Sequence, residues 1–561
     1  MSHRAPWIVS FPASALLVAS AQAQTTNRAS VDSAGAQSNG VSRASAISAD
    51  GRFVAFQSDA WNLDPGDSNG LSDIFVHDRT TGATTRVSLA PSGIEFDEMT
   101  HDPSISGDGR VVAFMFIANM KSTQLFARDR QANQTVLVSA TPGGLAGNSH
   151  SFEPAVSADG RFVAFSSAAS DLVAGDANSG ADVFVRDLQA GTTSLVHRNS
   201  AGVQGNGQAF SAPAISGDGR FVVFASDSTN LVAGDTNGLV DVFLRDLQTG
   251  TTSLIPLGHA SGFPLVEVAI SSDGLFVAFA STVALDPADT NGTSDIYVRD
   301  VQAGTTARVS LDSAGMQVSG NSGKPAISAD GRFVAFQSDA SALVPGDTNA
   351  AVDVFLRDRL TGRTTRASIS SAGLQGNAAS EYPAISGDGL IVAFDSAATD
   401  LVASDTNGVR DVFAIDRTCT GAISSYCVAK TNSLGCVPSI GSLGMPSRSG
   451  PDDFFVTASN VRNNKLGIML WSRTPGNTPF FGGTLCLGQP FKRTPGQSSG
   501  GSPSGHDCTG TYSFHFTQAY MQQQNLAADA TVHAQYWSRD PGFPVPNNVG
   551  LTNGLRFTIC P

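Results

Sequence analysis

Apolar and polar positions alternate with a period of two over most of this chain, in short runs bounded by Gly, Asp, Asn and Thr. Phe221 and Val223 with their neighbours form one such run and Asp241-Val-Phe-Leu-Arg-Asp246 the next, which is the signature of half-buried strands. Four strands fit one unit: Ala212 to Ser216, Arg220 to Ala225, Asp241 to Asp246 and Thr251 to Ile255. A Gly-Asp-Gly turn joins the first pair, and Gln248-Thr-Gly joins the third and fourth. Glycine there supplies the positive φ that tight hairpins demand.

The unit repeats. The phrase Ala-Ile-Ser-Ala-Asp-Gly-Arg-Phe-Val-Ala-Phe at Ala46 to Phe56 returns nearly verbatim at Ala326 to Phe336, and its copies centre on Asp50, Asp108, Asp159, Asp218, Asp273, Asp330 and Asp388. Seven four-stranded units at a long, nearly fixed period predict a ring, an all-β seven-bladed β-propeller. The last unit stops after Asp411 to Asp416 and lacks its fourth strand, while Thr25 to Gln37 reads almost as Thr305 to Gln317. The N-terminal strand is therefore expected to complete blade seven and leave no long sheet edge open.

The phrase Ser-x-Asp-Gly-Arg-Phe-Val-Ala-Phe followed by Asp-Val-Phe-Val-Arg-Asp, as at Ser157 to Phe165 and Asp182 to Asp187, resembles the WD-repeat-like propeller repeat of the TolB type. The resemblance covers about residues 25–417 and implies an extracytoplasmic interaction scaffold.

Composition narrows the setting. At 561 residues the chain exceeds one compact core, and a formal net charge of -14 argues against nucleic acid or an anionic membrane as partner. His3-Arg4, an apolar stretch to Ser20 and Ala21-Gln-Ala23 read as a secretory signal over residues 1–23, too short and Pro-broken to span a membrane. Residues 24–417 are then the propeller and 418–561 a second domain. All six cysteines lie in that domain: Cys419, Cys427, Cys436, Cys486, Cys508 and Cys560. An even set in an exported chain reads as a disulfide framework with about 15 connectivities open, and Cys486 with Cys508 is the first expectation because they bracket the loop Pro495 to Gly505.

The second domain has strand-like runs at Asp453 to Ala458, Gly467 to Trp471, Tyr512 to Phe516, Val532 to Trp537 and Leu555 to Cys560, with one helical pattern over Gln518 to Ala530. A disulfide-rich β-sandwich is expected. Ala534 to Pro541 with Asn553 to Ile559 resembles a terminal module of secreted or surface proteins of environmental bacteria.

Candidate chemistry lies in two places. Six blades carry an acidic phrase between the second and third strands: Asp67, Asn69, Asp73; Asp176, Asn178, Asp182; Asp235, Asn237, Asp241; Asp289, Asn291, Asp295; Asp347, Asn349, Asp353; and Asp405, Asn407, Asp411. This spacing of hard oxygen ligands suits calcium, although the twelfth-place carboxylate of a calcium loop would lie ~16 Å away along a strand. The competing reading is an Asx-type turn. The second place is the channel mouth, where Asp102, Glu153, Glu267, Lys324 and Tyr382, with Ala44 and Ala212, stand just before the innermost strands. They offer a polar ligand a site on the loop-rich face, and the competing reading is a solvated rim. Blade two lacks the acidic loop and is preceded by Glu95, Asp97, Glu98, His101 and Asp102, a local cluster with the residue types of a metal or acid–base site, although neighbours on one loop need not converge and the favoured reading is a divergent surface loop. Gly496-Gln-Ser-Ser-Gly500 spells a nucleophile elbow without its strand–helix context.

The expected function is an exported, monomeric, non-catalytic binding or scaffold protein that takes a protein or carbohydrate ligand, secreted, periplasmic or at the cell surface. The alternative is a secreted polysaccharide-active hydrolase or lyase on the same scaffold. No cofactor is expected beyond calcium.

Overall fold

The computed structural model describes residues 25–118, 122–210, 212–255, 267–417, 423–443, 446, 454–504, 506–527 and 530–559. Two compact units separate, Gln24–Arg417 and a C-terminal one over Thr418–Pro561. The residues expected to form the signal lie outside the described ones, as do Cys419 and Cys560.

The first unit is a seven-bladed β-propeller, each blade a four-stranded antiparallel sheet. Blade one runs Ser42–Ile47, Phe53–Ser58, Asp73–Asp78 and Thr84–Arg86 from the channel outward. In blade seven the outer strand is Thr25–Arg28, which pairs antiparallel with Asp411–Asp416 and puts Arg28 opposite Phe413. Thr26 Oγ1 donates to the Ile369 carbonyl at 2.6 Å, which also ties this strand to the loop of blade six.

The repeated phrase explains the blade. In blade four, Ser216 Oγ donates to Asp218 at 2.7 Å while Asp218 accepts from the Arg220 amide at 3.0 Å, so the two side chains fix the turn between the first and second strands. Arg220 then clamps Asp246 at the end of the third strand, at 2.7 Å, joining the two tight turns on the plain face. The apolar centres of the second and third strands are fully buried: within blade four Phe224 stacks on Phe243 across the strand pair, and both pack in one core with Ala164 and Val183 of blade three. Burying such a side chain is worth about 1.5–3 kcal/mol, and the repeat multiplies that term around the ring.

Blade two departs from the pattern. Its second and third strands, Val111–Ala118 and Ser122–Asp129, lengthen to eight residues, because no acidic loop interrupts the hairpin.

The second unit is a β-sandwich. One sheet runs in the order Ser424–Tyr426, Gly554–Thr558, Thr531–Arg539, Leu466–Ser472, Lys492–Arg493, and the facing one joins Ser439–Leu443, Phe455–Val461 and Gly510–His515. Between them lies one core of Trp471, Tyr536, Phe557, Val456 and Tyr512. The helix covers only Gln518–Gln523, shorter than its pattern suggests, because Asn525 turns the backbone to φ 56°.

The disulfides correct the expectation. Cys427 bonds Cys486 and Cys436 bonds Cys508, so Cys486 and Cys508 are not partners. The loop alone favours a short ring, but tertiary packing decides: Tyr426 Oη donates to the Cys486 carbonyl at 2.5 Å and brings Cys427 alongside.

Candidate functional site

Ala44, Asp102, Glu153, Lys324 and Tyr382 stand inside their innermost strands rather than before them, whereas Glu267 and Ala212 precede Val268–Ile270 and Ala214–Ile215 as expected. Bulges interrupt the first five of these strands, as between Arg43 and Ala46 in blade one. The extra residue takes a left-handed backbone: Ala44, Asp102, Glu153, Lys324 and Tyr382 all have φ between 51° and 58°. Such a conformation costs a residue with Cβ about 1 kcal/mol or more, and bulges re-aim side chains. Sequence reasoning could place these residues by their offset from Pro-Ala-Ile-Ser, but not the bulge, since none of them is Gly.

The bulge residues interact around the ring. Lys324 Nζ lies 2.8 Å from Glu267 Oε1 in blade five and 5.0 Å from the centre of the Tyr382 ring in blade seven. Its charge also reaches Asp102 and Glu153 in blades two and three, on the far side of the channel. Asp102 is accessible from the channel, yet the surrounding walls remove it from bulk solvent, and this desolvation raises its carboxyl above the ordinary range. Glu153 is raised for the same reason, with the Asp102 charge adding to it. Lys324 is paired with Glu267, so Asp102 and Glu153 face the channel as two acidic groups without an ion-pair partner of their own among the described residues.

Three further groups belong to this region. Glu381 and Asp395 face each other across the first strand pair of blade seven, and Arg410 bridges them at 2.5 Å to each. Burial pushes the Asp395 carboxyl up to about 6 although Arg410 pulls it down. This triad escapes sequence reading because its members are 14 to 29 residues apart on three segments. The blade-two cluster does not converge: Glu95 turns to Arg86 and Ser68, His101 Nδ1 meets Gln57 Nε2 at 2.7 Å, and Asp97 is exposed.

The acidic loops have one construction. Every asparagine forms an Asx turn, its side-chain oxygen accepting from the amide two residues on: Asn69 from Leu71, Asn178 from Gly180, Asn237 from Leu239, Asn291 from Thr293, Asn349 from Ala351 and Asn407 from Val409. Its amide end then donates to a nearby acceptor, as Asn291 does to the Val318 carbonyl at 3.0 Å.

The aspartates meet cations of the protein itself. Arg86 bridges Asp73 and Glu95; Arg308 NH1 lies 3.4 Å from both Asp289 and Asp295; Arg366 reaches Asp347 at 3.3 Å and Asp353 at 3.1 Å; Arg28 reaches Asp405 at 3.1 Å and Asp411 at 3.5 Å. In blade three, His197 bonds Asp182, and Gln204 Nε2 spans Asp176 and Asp182 at 2.8 Å each. Asp67, Asp73 and Glu95 bring their oxygens within 4.8 Å of one another, the one such triad among the described residues, and Arg86 sits among them. Blade four departs from this arrangement, with Leu254 where blades one, five, six and seven place arginine.

A groove of about 430 Å³ opens between blades two and three on the plain face, lined by Arg110, Asp129 and Arg161. Its charges are already paired, Arg110 with Asp129 and Arg161 with Asp187.

Among the described residues no helix is long and apolar enough to cross a membrane. No family model matches the sequence, and no curated protein matches it. Among solved structures the chain is similar to TolB from Acinetobacter baumannii, 16% identical with a TM-score of 0.32 over 66% of this chain and 82% of that one. It is also similar to the β-propeller domain of the Trilobed protease from Pyrococcus furiosus, 12% identical with a TM-score of 0.41 over 67% and 95%. An oligogalacturonate lyase from Vibrio parahaemolyticus is 12% identical with a TM-score of 0.38 over 72% and 92%. The seven-bladed ring rests on the protein's own seven four-stranded sheets and not on these likenesses.

Proposed function

We propose that this is an exported binding protein that holds a ligand at the channel mouth on the loop-rich face. The observation that carries the reading is the asymmetry of charge around that mouth: Lys324 is neutralised by Glu267, while Asp102 and Glu153 face it across the ring. A rim so charged favours a protein segment presenting Lys, Arg or an amino terminus, and disfavours an acidic glycan. The bulges support the same reading, since backbone strain persists where the surrounding structure fixes a side chain's direction. Export accords with the disulfides Cys427–Cys486 and Cys436–Cys508, which form in oxidising compartments.

Binding of a basic peptide panel and of a neutral and acidic oligosaccharide panel to the mature chain tests this. Basic peptides bind, and Asp102→Asn with Glu153→Gln weakens them at least tenfold while leaving the melting temperature near that of the wild type. Binding confined to oligosaccharides, or turnover of one of them, overturns it in favour of a polysaccharide-active enzyme.

A further inference from the structure

In the ring of acidic loops one first-position carboxylate has neither a hydrogen bond nor an ion pair among the described residues. Asp235 opens the loop of blade four, is only 7% exposed, and neither of its carboxylate oxygens has a hydrogen-bond partner. Four of the other five first-position aspartates have one: Asp67 accepts from the Gly70 amide at 3.2 Å, Asp176 from Gln204, Asp289 from Tyr297 and Gln317, and Asp347 from Gln375, while Asp405, whose oxygens likewise accept no hydrogen bond, is ion-paired with Arg28 at 3.1 Å.

The cause is visible in the strand register. Arg86, Arg308, Arg366 and Arg28 stand opposite Phe75, Tyr297, Phe355 and Phe413 on the fourth strand of their blades. In blade four the residue at that register, opposite Phe243, is Leu254. Blade three also has leucine there, Leu195 opposite Phe184, but supplies His197 and Gln204 instead. Blade two has Leu137 opposite Phe126 and no acidic loop at all. Blade four alone keeps the acidic pair and loses the arginine without such a replacement at Asp235.

A buried carboxylate with no partner is several kcal/mol unfavourable. In the sister blades the corresponding pair is close enough for one nitrogen to touch both members, as Gln375 Nε2 does with Asp347 at 2.9 Å and Asp353 at 2.8 Å. Asp241, the second member of the pair in blade four, is also buried and accepts from Asn237 Nδ2 at 2.8 Å. Nothing larger than an ion fits a carboxylate buried to this degree, and two hard oxygen donors select a calcium-type cation over a soft metal.

We propose that blade four binds a single calcium-type divalent cation through Asp235 and Asp241, in the position that arginine fills in blades one, five, six and seven. The site is independent of whatever occupies the channel mouth.

Titration of the metal-free mature chain with calcium chloride, followed by calorimetry and by melting with and without chelator, tests this. The expected result is about one ion per chain and a melting temperature that rises with calcium. Asp235→Asn abolishes both effects. Leu254→Arg, which installs the internal cation of the sister blades, also abolishes binding and raises the melting temperature of the metal-free protein. Asp347→Asn, in an arginine-filled loop, leaves calcium binding unchanged. Absence of binding in the wild type at millimolar calcium, a stoichiometry near six, or binding retained in Asp235→Asn overturns the proposal. Circular dichroism of each variant establishes that it is folded, and Asp235→Asn, nearly isosteric, decides the matter if Leu254→Arg does not fold.

Discussion

Arg366 Nε lies 3.1 Å from Asp353 Oδ2, with the arginine side chain 7% exposed and the aspartate fully buried. The same kind of pair recurs in blades one, five and seven, and in these four blades it closes the acidic loop around a counter-ion of the protein's own.

The first prediction follows from that closure. Arg366→Leu copies the residue that blade four uses at the same register and strands Asp347 and Asp353 without their guanidinium. Removing one member of a buried pair costs about 3–5 kcal/mol. Urea melts read that loss directly, and adding Asp347→Asn and Asp353→Asn restores most of it, because the uncompensated charges are then gone.

How much of this was legible in the sequence depends on the range of each interaction. The blades were legible because a period-two pattern flanked by Asp-Gly turns is local, and the outer strand at Thr25 because its text matches Thr305 onward. The loops were legible as Asp-x-Asn, yet their partner was not: Arg86, Arg308 and Arg366 each follow the first aspartate by 19 residues, on a strand where a charged residue reads as solvent-facing. Arg28 is farther still, at the opposite end of the propeller sequence from Asp405. The disulfide pairing was hidden for a related reason, since the contact that brings Cys427 to Cys486, Tyr426 Oη on the Cys486 carbonyl, is set by packing rather than by loop length.

A second prediction concerns ring closure. Removing residues 25–31 deletes the outer strand of blade seven, the Arg28 pairs to Asp405 and Asp411, and the Ser30 hydroxyl that donates to Asp411 at 2.6 Å. The truncated chain exposes the edge of Asp411–Asp416. It melts at a lower temperature and aggregates through that edge, as light scattering records. A synthetic peptide of residues 25–38 added in trans suppresses the aggregation.

A third prediction tests why the repeat keeps glycine in its first turn. Gly219 has φ 73°, and a Cβ there would lie 2.1 Å from Phe162 Cδ2 of the preceding blade. Gly219→Ala therefore combines left-handed strain with a core clash, roughly 2–4 kcal/mol together. Gly292, in an acidic loop, has φ 67°, but a Cβ added there would meet nothing within 4 Å. Gly292→Ala thus costs only about 1 kcal/mol, from backbone strain alone. Denaturant unfolding of the two variants compares the costs, and equal losses at the two positions would show that the blade contact is unimportant.

The fourth prediction is a pH dependence housed in the sandwich. His533 is buried, stands opposite Arg556 in the neighbouring strand and meets the Tyr426 ring edge-on at 5.3 Å. Desolvation, helped by the Arg556 charge, lowers its pKa from 6.5 to about 4. Between those two values the unfolded chain binds a proton that the folded domain refuses, so stability is complete above pH 6.5 and is lost as the pH falls toward 4. A difference of that size corresponds to about 3 kcal/mol. Asp and Glu elsewhere titrate near the lower end of the window, so the informative quantity is the difference between wild type and His533→Leu, measured by denaturant unfolding of the sandwich at intervals from pH 4 to 7. The variant, lacking the ionisable ring, gains on the wild type steadily as the pH falls through this range. Parallel curves for the two proteins would mean that His533 is protonated in the folded domain after all.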